Sequence, residues 1–145
     1  MYSRKIKYTD YDGNEREEEY FFHLNKAEVL EMQMSWDGGL DKILRKIIEE
    51  KDQKRMIEMF KMIILKSYGE KSLDGKRFIK TPEVVEAFTQ TEAYSEFFML
   101  LSTNDEVASE FINGILPQKL IEEANELAEE QKKAQISGPT PVENK

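Results

Sequence analysis

The sequence predicts a mainly α fold, a helical bundle of about six helices introduced by an N-terminal β-hairpin. Three observations carry this. Apolar residues recur at helical spacing from residue 26 onward, and helix-start chemistry stands in front of those stretches at Asn25, Thr81, Thr91 and Thr103. The first two dozen residues instead form two short segments of strand character around a turn.

In the hairpin, residues 5–9 and 16–23 flank Tyr11-Asp12-Gly13-Asn14, where Gly13 or Asn14 supplies the positive φ of a tight turn. A loop with an odd number of residues puts Ile6, Tyr8, Tyr20 and Phe22 on one face. Lys5 and Lys7 then meet Glu17 and Glu19 on the other, so the odd loop is preferred. Asn25 with Glu28 reads as a capping box opening a helix over 26–35, which Gly38-Gly39 stops. A second helix over 40–50 carries Leu40, Ile43, Leu44, Ile47 and Ile48. A third, over 53–68, carries Met56, Ile57, Phe60, Ile63, Ile64 and Tyr68 and ends at Gly69. Its apolar surface is wide, which makes it the central helix of the core.

Residues 70–80 read as a polar connector with a turn at Leu73-Asp74-Gly75-Lys76 and a short extended piece at Phe78-Ile79. Thr81-Pro82 starts a short helix with Val84, Val85 and Phe88 inward. Thr91 starts the next, in which Tyr94, Phe97, Phe98 and Leu101 repeat. Thr103 with Glu106 forms a second capping box, opening a helix over 104–113 that Gly114 and Pro117 bracket. A final polar helix carries a narrow stripe of Leu120, Ile121, Ala124, Leu127 and Ala128. The organisation expected is a hairpin over 1–24, a helical core over 25–116, the polar helix over 117–135, and a disordered tail over 136–145.

The chain has 145 residues, enough for one modest core, with 39% hydrophobic and 34% charged residues. Its formal net charge is −8, from 29 acidic and 21 basic residues. Nucleic-acid binding and docking on an anionic membrane both need the opposite balance, so neither partner is expected. No apolar run reaches the roughly 20 residues of a membrane span, and the N-terminus lacks a signal-peptide pattern, which predicts a cytoplasmic protein. Cysteine is absent, which removes disulfides, thiolate nucleophiles and cysteine zinc sites.

Catalytic chemistry is equally thin, and the chain is read as a protein-binding molecule that is not an enzyme. The single histidine, His23, has no nucleophile elbow and no second histidine to share a metal, so it reads as structural. Asp10-Tyr11-Asp12-Gly13-Asn14 begins like a calcium loop, but its glycine comes two residues early and Phe21 replaces the closing glutamate. The glutamate pairs lie in solvated runs, where nothing shifts a pKa. No phosphate-binding glycine motif occurs. Neither cofactor nor metal is expected.

Two features point to binding. Seven methionines, among them Met32, Met34, Met56, Met59 and Met62, provide faces that can repack around partners. Met56 and Met62 also fit ordinary core filling, whereas Met59 lies off the main stripe. The narrow stripe of the final helix is the second feature, able to dock on another copy or another protein. The candidate protein-binding residues are Met59, Met62, Phe97, Phe98, Leu120, Ile121 and Leu127.

Five stretches of the sequence carry a family resemblance: 8–14 (Tyr8 to Asn14), 21–28 (Phe21 to Glu28), 64–69 continued by 74–78, 88–94 (Phe88 to Tyr94), and 111–117 (Phe111 to Pro117). In their order and spacing they resemble the tail assembly chaperones of long-tailed bacteriophages, particularly those infecting Gram-positive hosts. The resemblance implies a factor in the host cytoplasm, absent from the finished virion. It would bind the tape-measure protein, keep it soluble and help recruit tail-tube protein. It also implies self-association and a longer, frameshifted form, of which this chain would be the short one. It brings no catalytic residue. Two other classes stay open: an acidic helical inhibitor or adaptor of a basic host target, and a small enzyme with a carboxylate-only metal site.

Overall fold

The computed structural model describes residues 1–35 and 53–117. Strands β1 (Tyr2–Thr9), β2 (Glu15–Phe22), β3 (Tyr68–Lys71) and β4 (Phe78–Ile79) form one antiparallel sheet in that order. With them stand helices α1 (Lys26–Ser35), α2 (Gln53–Ser67), α3 (Pro82–Thr89), α4 (Glu92–Thr103) and α5 (Asp105–Ile115). The mainly α bundle of six helices is therefore corrected. The fold is mixed α/β, with five helices among the described residues beside a four-stranded sheet. The helix expected over 40–50, the polar helix over 117–135 past Pro117, and the tail over 136–145 lie outside the described residues.

The hairpin follows the odd-loop register. Lys5 pairs with Glu19 and Lys7 with Glu17, while Ile6, Tyr8, Tyr20 and Phe22 point to the helices. Asp10 builds the turn. Its Oδ1 accepts from the backbone N–H of Asp12 at 3.0 Å and of Asn14 at 2.9 Å, and its Oδ2 from Arg16 Nε at 2.6 Å. The hydrogen bonds to the charged form, that of Arg16 first, hold the Asp10 carboxyl down at about 2. Gly13 supplies the positive φ, at 85°.

The sheet was missed because Tyr68 and Gly69 extend the α2 pattern without a break in sequence. In the structure α2 stops at Ser67, and Tyr68 begins a strand that pairs with Phe22 on one side of the sheet. Gly69 is a strand glycine, since a Cβ there would sit 2.7 Å from Phe78 Cε2 and 2.9 Å from the Ile79 carbonyl oxygen. The close approach of β4 requires glycine, and this is its role beyond ending the helix.

The caps hold with one shift. Asn25 and Glu28 exchange reciprocal bonds at 2.8 and 3.0 Å, and Thr81 and Thr91 accept from the N–H groups of Val84 and Tyr94. Thr103, however, closes α4 by donating to Met99 O, and it is Asn104 that caps α5. That helix runs through Gly114, where a Cβ would meet Tyr2 Cδ1 at 2.8 Å, and continues to Ile115.

Phe22 is the centre of the core. Its ring stacks on Phe97 at 4.9 Å and meets Phe111 edge-on at 5.4 Å, Tyr68 at 5.7 Å and Phe88 at 5.9 Å. Helices α4 and α5 pack on β1, so the hairpin shares one core with the helices rather than standing apart. At its tip, the Tyr11 hydroxyl bonds Glu92 at the start of α4, which raises the phenol pKa.

Candidate groove between α2 and α3

Helix α2 buries Phe60, Ile63, Ile64 and Ser67 at three- and four-residue spacing, which fixes its rotation on the core. Ser67 is buried, and its hydroxyl donates to Ile63 O at 2.7 Å, replacing the water it has lost. That rotation turns a second row outward, consisting of Glu58, Lys61, Met62, Leu65 and Lys66. Helix α3 starts opposite it, its direction set by the Thr81 cap and Pro82 in the first turn.

Between the two helices lies an open groove of about 550 Å³. Its apolar lining is Met62 and Leu65 from α2 with Pro82 and Val85 from α3. Its charged lining is Glu58, Lys61, Lys66 and Lys80. A mostly apolar trough with a few charges at its sides matches what an amphipathic helix presents. A second, more polar concavity of about 450 Å³ lies by the hairpin, where Lys7, Arg16, Glu17 and Glu96 contribute.

Lys80 fixes the end of the groove. Its Nζ donates to the carbonyl oxygens of His23 at 2.6 Å and Lys66 at 3.0 Å, and to both Glu28 oxygens at 2.8 Å. It thus ties the last turn of α2 to β2, α1 and the entry to α3. Glu28 serves twice, since it also completes the Asn25 capping box.

His23 sits beside this clamp, its ring edge-on to Phe78 at 6.4 Å. Its Nδ1 is buried with no hydrogen-bond partner among the described residues. Burial first, then the positive N-terminus and Lys80, pushes the imidazole pKa down against the pull of Glu28. A histidine held neutral beside an ammonium group is placed for packing. Among the described residues no cluster of three or more His, Cys, Asp or Glu side chains could hold a metal ion. None of the described helices is long and apolar enough to cross a membrane.

The candidate binding residues separate. Met62 lines the groove. Met59 and Met62 are both half-buried and pack against the core, but Met59 is not part of the groove lining, while Ile57, expected inward, is 48% exposed. Phe97 is fully buried between Phe22 and Phe111, so it supports the core from within. Phe98 is half-buried beside Tyr94. Leu120, Ile121 and Leu127 lie outside the described residues. Sequence reasoning missed Leu65, Pro82, Lys61 and Lys80 as groove residues. The outward row at 58, 61, 62, 65 and 66 was a signal for α2, but nothing in the sequence told that α3 would lie across it.

With this geometry in view, comparison with protein families gives one finding. Over residues 1–143 the chain matches the family described as phage tail assembly chaperone, and it belongs to that family. It is a bacteriophage tail assembly factor, whose partners are tail proteins and whose role is that of a chaperone. Neither the search of curated proteins nor that of solved structures found a match.

Proposed function

We propose that this chain binds the tape-measure protein of its phage through the groove between α2 and α3. It keeps that protein's amphipathic helices soluble, and helps recruit tail-tube protein as the tail grows. The observation that carries this reading is the groove itself: Met62, Leu65, Pro82 and Val85 form an apolar trough open to solvent on a tail assembly chaperone. Apolar helix faces that would otherwise aggregate are shielded by such a trough, and the net charge of −8 keeps the complex dispersed. Met62 adds an adaptable thioether to the contact, suited to a partner whose helices repeat with variation. The role is one of binding without catalysis, carried out in the host cytoplasm and ended before the virion is complete. Copies of the chain associate as they coat the long partner.

Co-expression with the tape-measure protein tests the reading. The partner, insoluble alone, is expected to become soluble and to co-elute with this chain on size exclusion. Met62→Asp and Val85→Glu, which put charge into the apolar lining, should each lower recovery of the complex at least about tenfold. Both positions are half-buried against the core, so melting should drop somewhat, but helical circular dichroism should show the variants folded at the assay temperature. Undiminished recovery with both variants would remove the groove from the account.

A further inference from the structure

We infer that the groove between α2 and α3 takes an amphipathic helix whose apolar stripe is bordered by carboxylates, so that the partner segment it holds is acidic. This rests on the groove being the binding site and adds which helices it accepts. The charges around the trough carry it. Lys61 and Lys66 are exposed at its edge, and neither ammonium group has an ion-pair partner among the described residues. They stand five residues apart on α2, which is about 140° of rotation on a helix. The run Lys61-Met62-Ile63-Ile64-Leu65-Lys66 buries its two isoleucines in the core and turns Met62 and Leu65 outward between the two lysines. A helix seated on Met62 and Leu65 therefore passes a cation on each side.

The other two charges of the lining do not cancel these. Lys80 is already satisfied, by both Glu28 oxygens at 2.8 Å and by two carbonyl oxygens, so it needs nothing from a partner. Glu58 lies one turn before Lys61 and makes no ion pair with it. One carboxylate at the end of the trough thus stands against two lysines along it. The lysine stems extend the apolar surface beside the trough while their heads stay in water. A carboxylate arriving at this rim gains a counter-ion without being buried.

The rim runs against the charge of the whole molecule. At a net charge of −8 the chain's overall field favours a helix with lysine flanks. The groove reverses that preference locally, because contact distances are shorter than the screening length of about 8 Å at physiological salt, beyond which distant acids are damped. Selection then has two parts. The apolar stripe provides the contact, and the rim rejects helices with basic flanks.

Two synthetic peptides of about 20 residues test this with the full chain. They share one Leu/Ala stripe and differ only in the residues bordering it, glutamate in one and lysine in the other. Each exposed ion pair is worth up to about fivefold in affinity, so fluorescence anisotropy at low salt should show the glutamate peptide binding about tenfold tighter. Lys61→Glu with Lys66→Glu, both at exposed positions, should reverse the order and leave helical circular dichroism unchanged. Tighter binding of the lysine peptide by the parent, equal binding of the two, or no binding of either would overturn the inference. So would a preference for the glutamate peptide that survives the double substitution, which would put its site elsewhere. The tape-measure protein separates the two readings. If it binds and Met62→Asp weakens it, but the peptides bind equally, the groove stands as its site and the carboxylate rule fails. If the peptides behave as expected but the tape-measure protein does not bind, the rule stands and the partner reading fails.

Discussion

Lys80 concentrates more polar structure than any other described side chain, because its ammonium group satisfies Glu28 and two carbonyl oxygens at once. Lys80→Met keeps the unbranched stem of the side chain up to its ε position and removes every one of these bonds. It is expected to cost about 2 kcal/mol, since Glu28 retains part of its hydration and the carbonyls lose a charged donor. Urea denaturation measures this directly. Glu28→Gln, which keeps the capping geometry, should cost less.

His23 sets the pH response. Its folded pKa lies below the ordinary 6.5, so the unfolded chain binds the proton more readily. Stability is complete above 6.5 and is lost as pH falls through the folded value. Asp10, Glu18 and Asp74 are shifted down from 3.8, 4.5 and 3.8, so their contributions are lost only at lower pH. The melting temperature should therefore begin to fall as pH drops below about 6.5, before the carboxylates titrate. His23→Gln should flatten that interval, because the chain has one histidine. A parent profile that is already flat there would mean the imidazole titrates normally.

At the scale of elements, the hairpin and the helix starts were legible because their determinants are local. An odd loop forces the pairing of Lys5 with Glu19, and Thr81-Pro82 fixes a helix start within two residues. Strand β3 was not legible. Tyr68 continues the spacing of Phe60, Ile63 and Ile64, and only pairing with Phe22, far away in sequence, turns it into a strand. Gly69 carries the consequence. Gly69→Ala places a methyl group against Phe78 and the Ile79 carbonyl, and should destabilise by about 2 kcal/mol by forcing β4 outward. Gly75→Ala, where open space surrounds the glycine, should cost about 1 kcal/mol, and only because its φ is 74°. Thermal denaturation of the two variants separates packing from backbone strain.

For the whole molecule, the family was legible in the order of short sequence stretches while the groove was not. The sequence favours Met59 over Met62 as the surface methionine, yet it is Met62 that lines the groove, and Phe97, which shares its helical repeat with Phe98, is buried at the centre of the core. Spacing on one helix shows which side chains share a face, and it does not show which face a distant element will cover. The groove exists because β3 and β4 turn the chain between α2 and α3, and sheet closure of that kind is set by pairing across the fold. Its end is then held by Lys80 across four elements, a constraint with no trace in local sequence.

The most direct measurement is amide hydrogen exchange on the complex with the tape-measure protein, compared with the free chain. If the groove is the binding site, protection should rise over residues 58–66 and 82–86 and stay unchanged along the hairpin over 2–22. Protection confined to the hairpin, with α2 and α3 exchanging as in the free protein, would contradict the account.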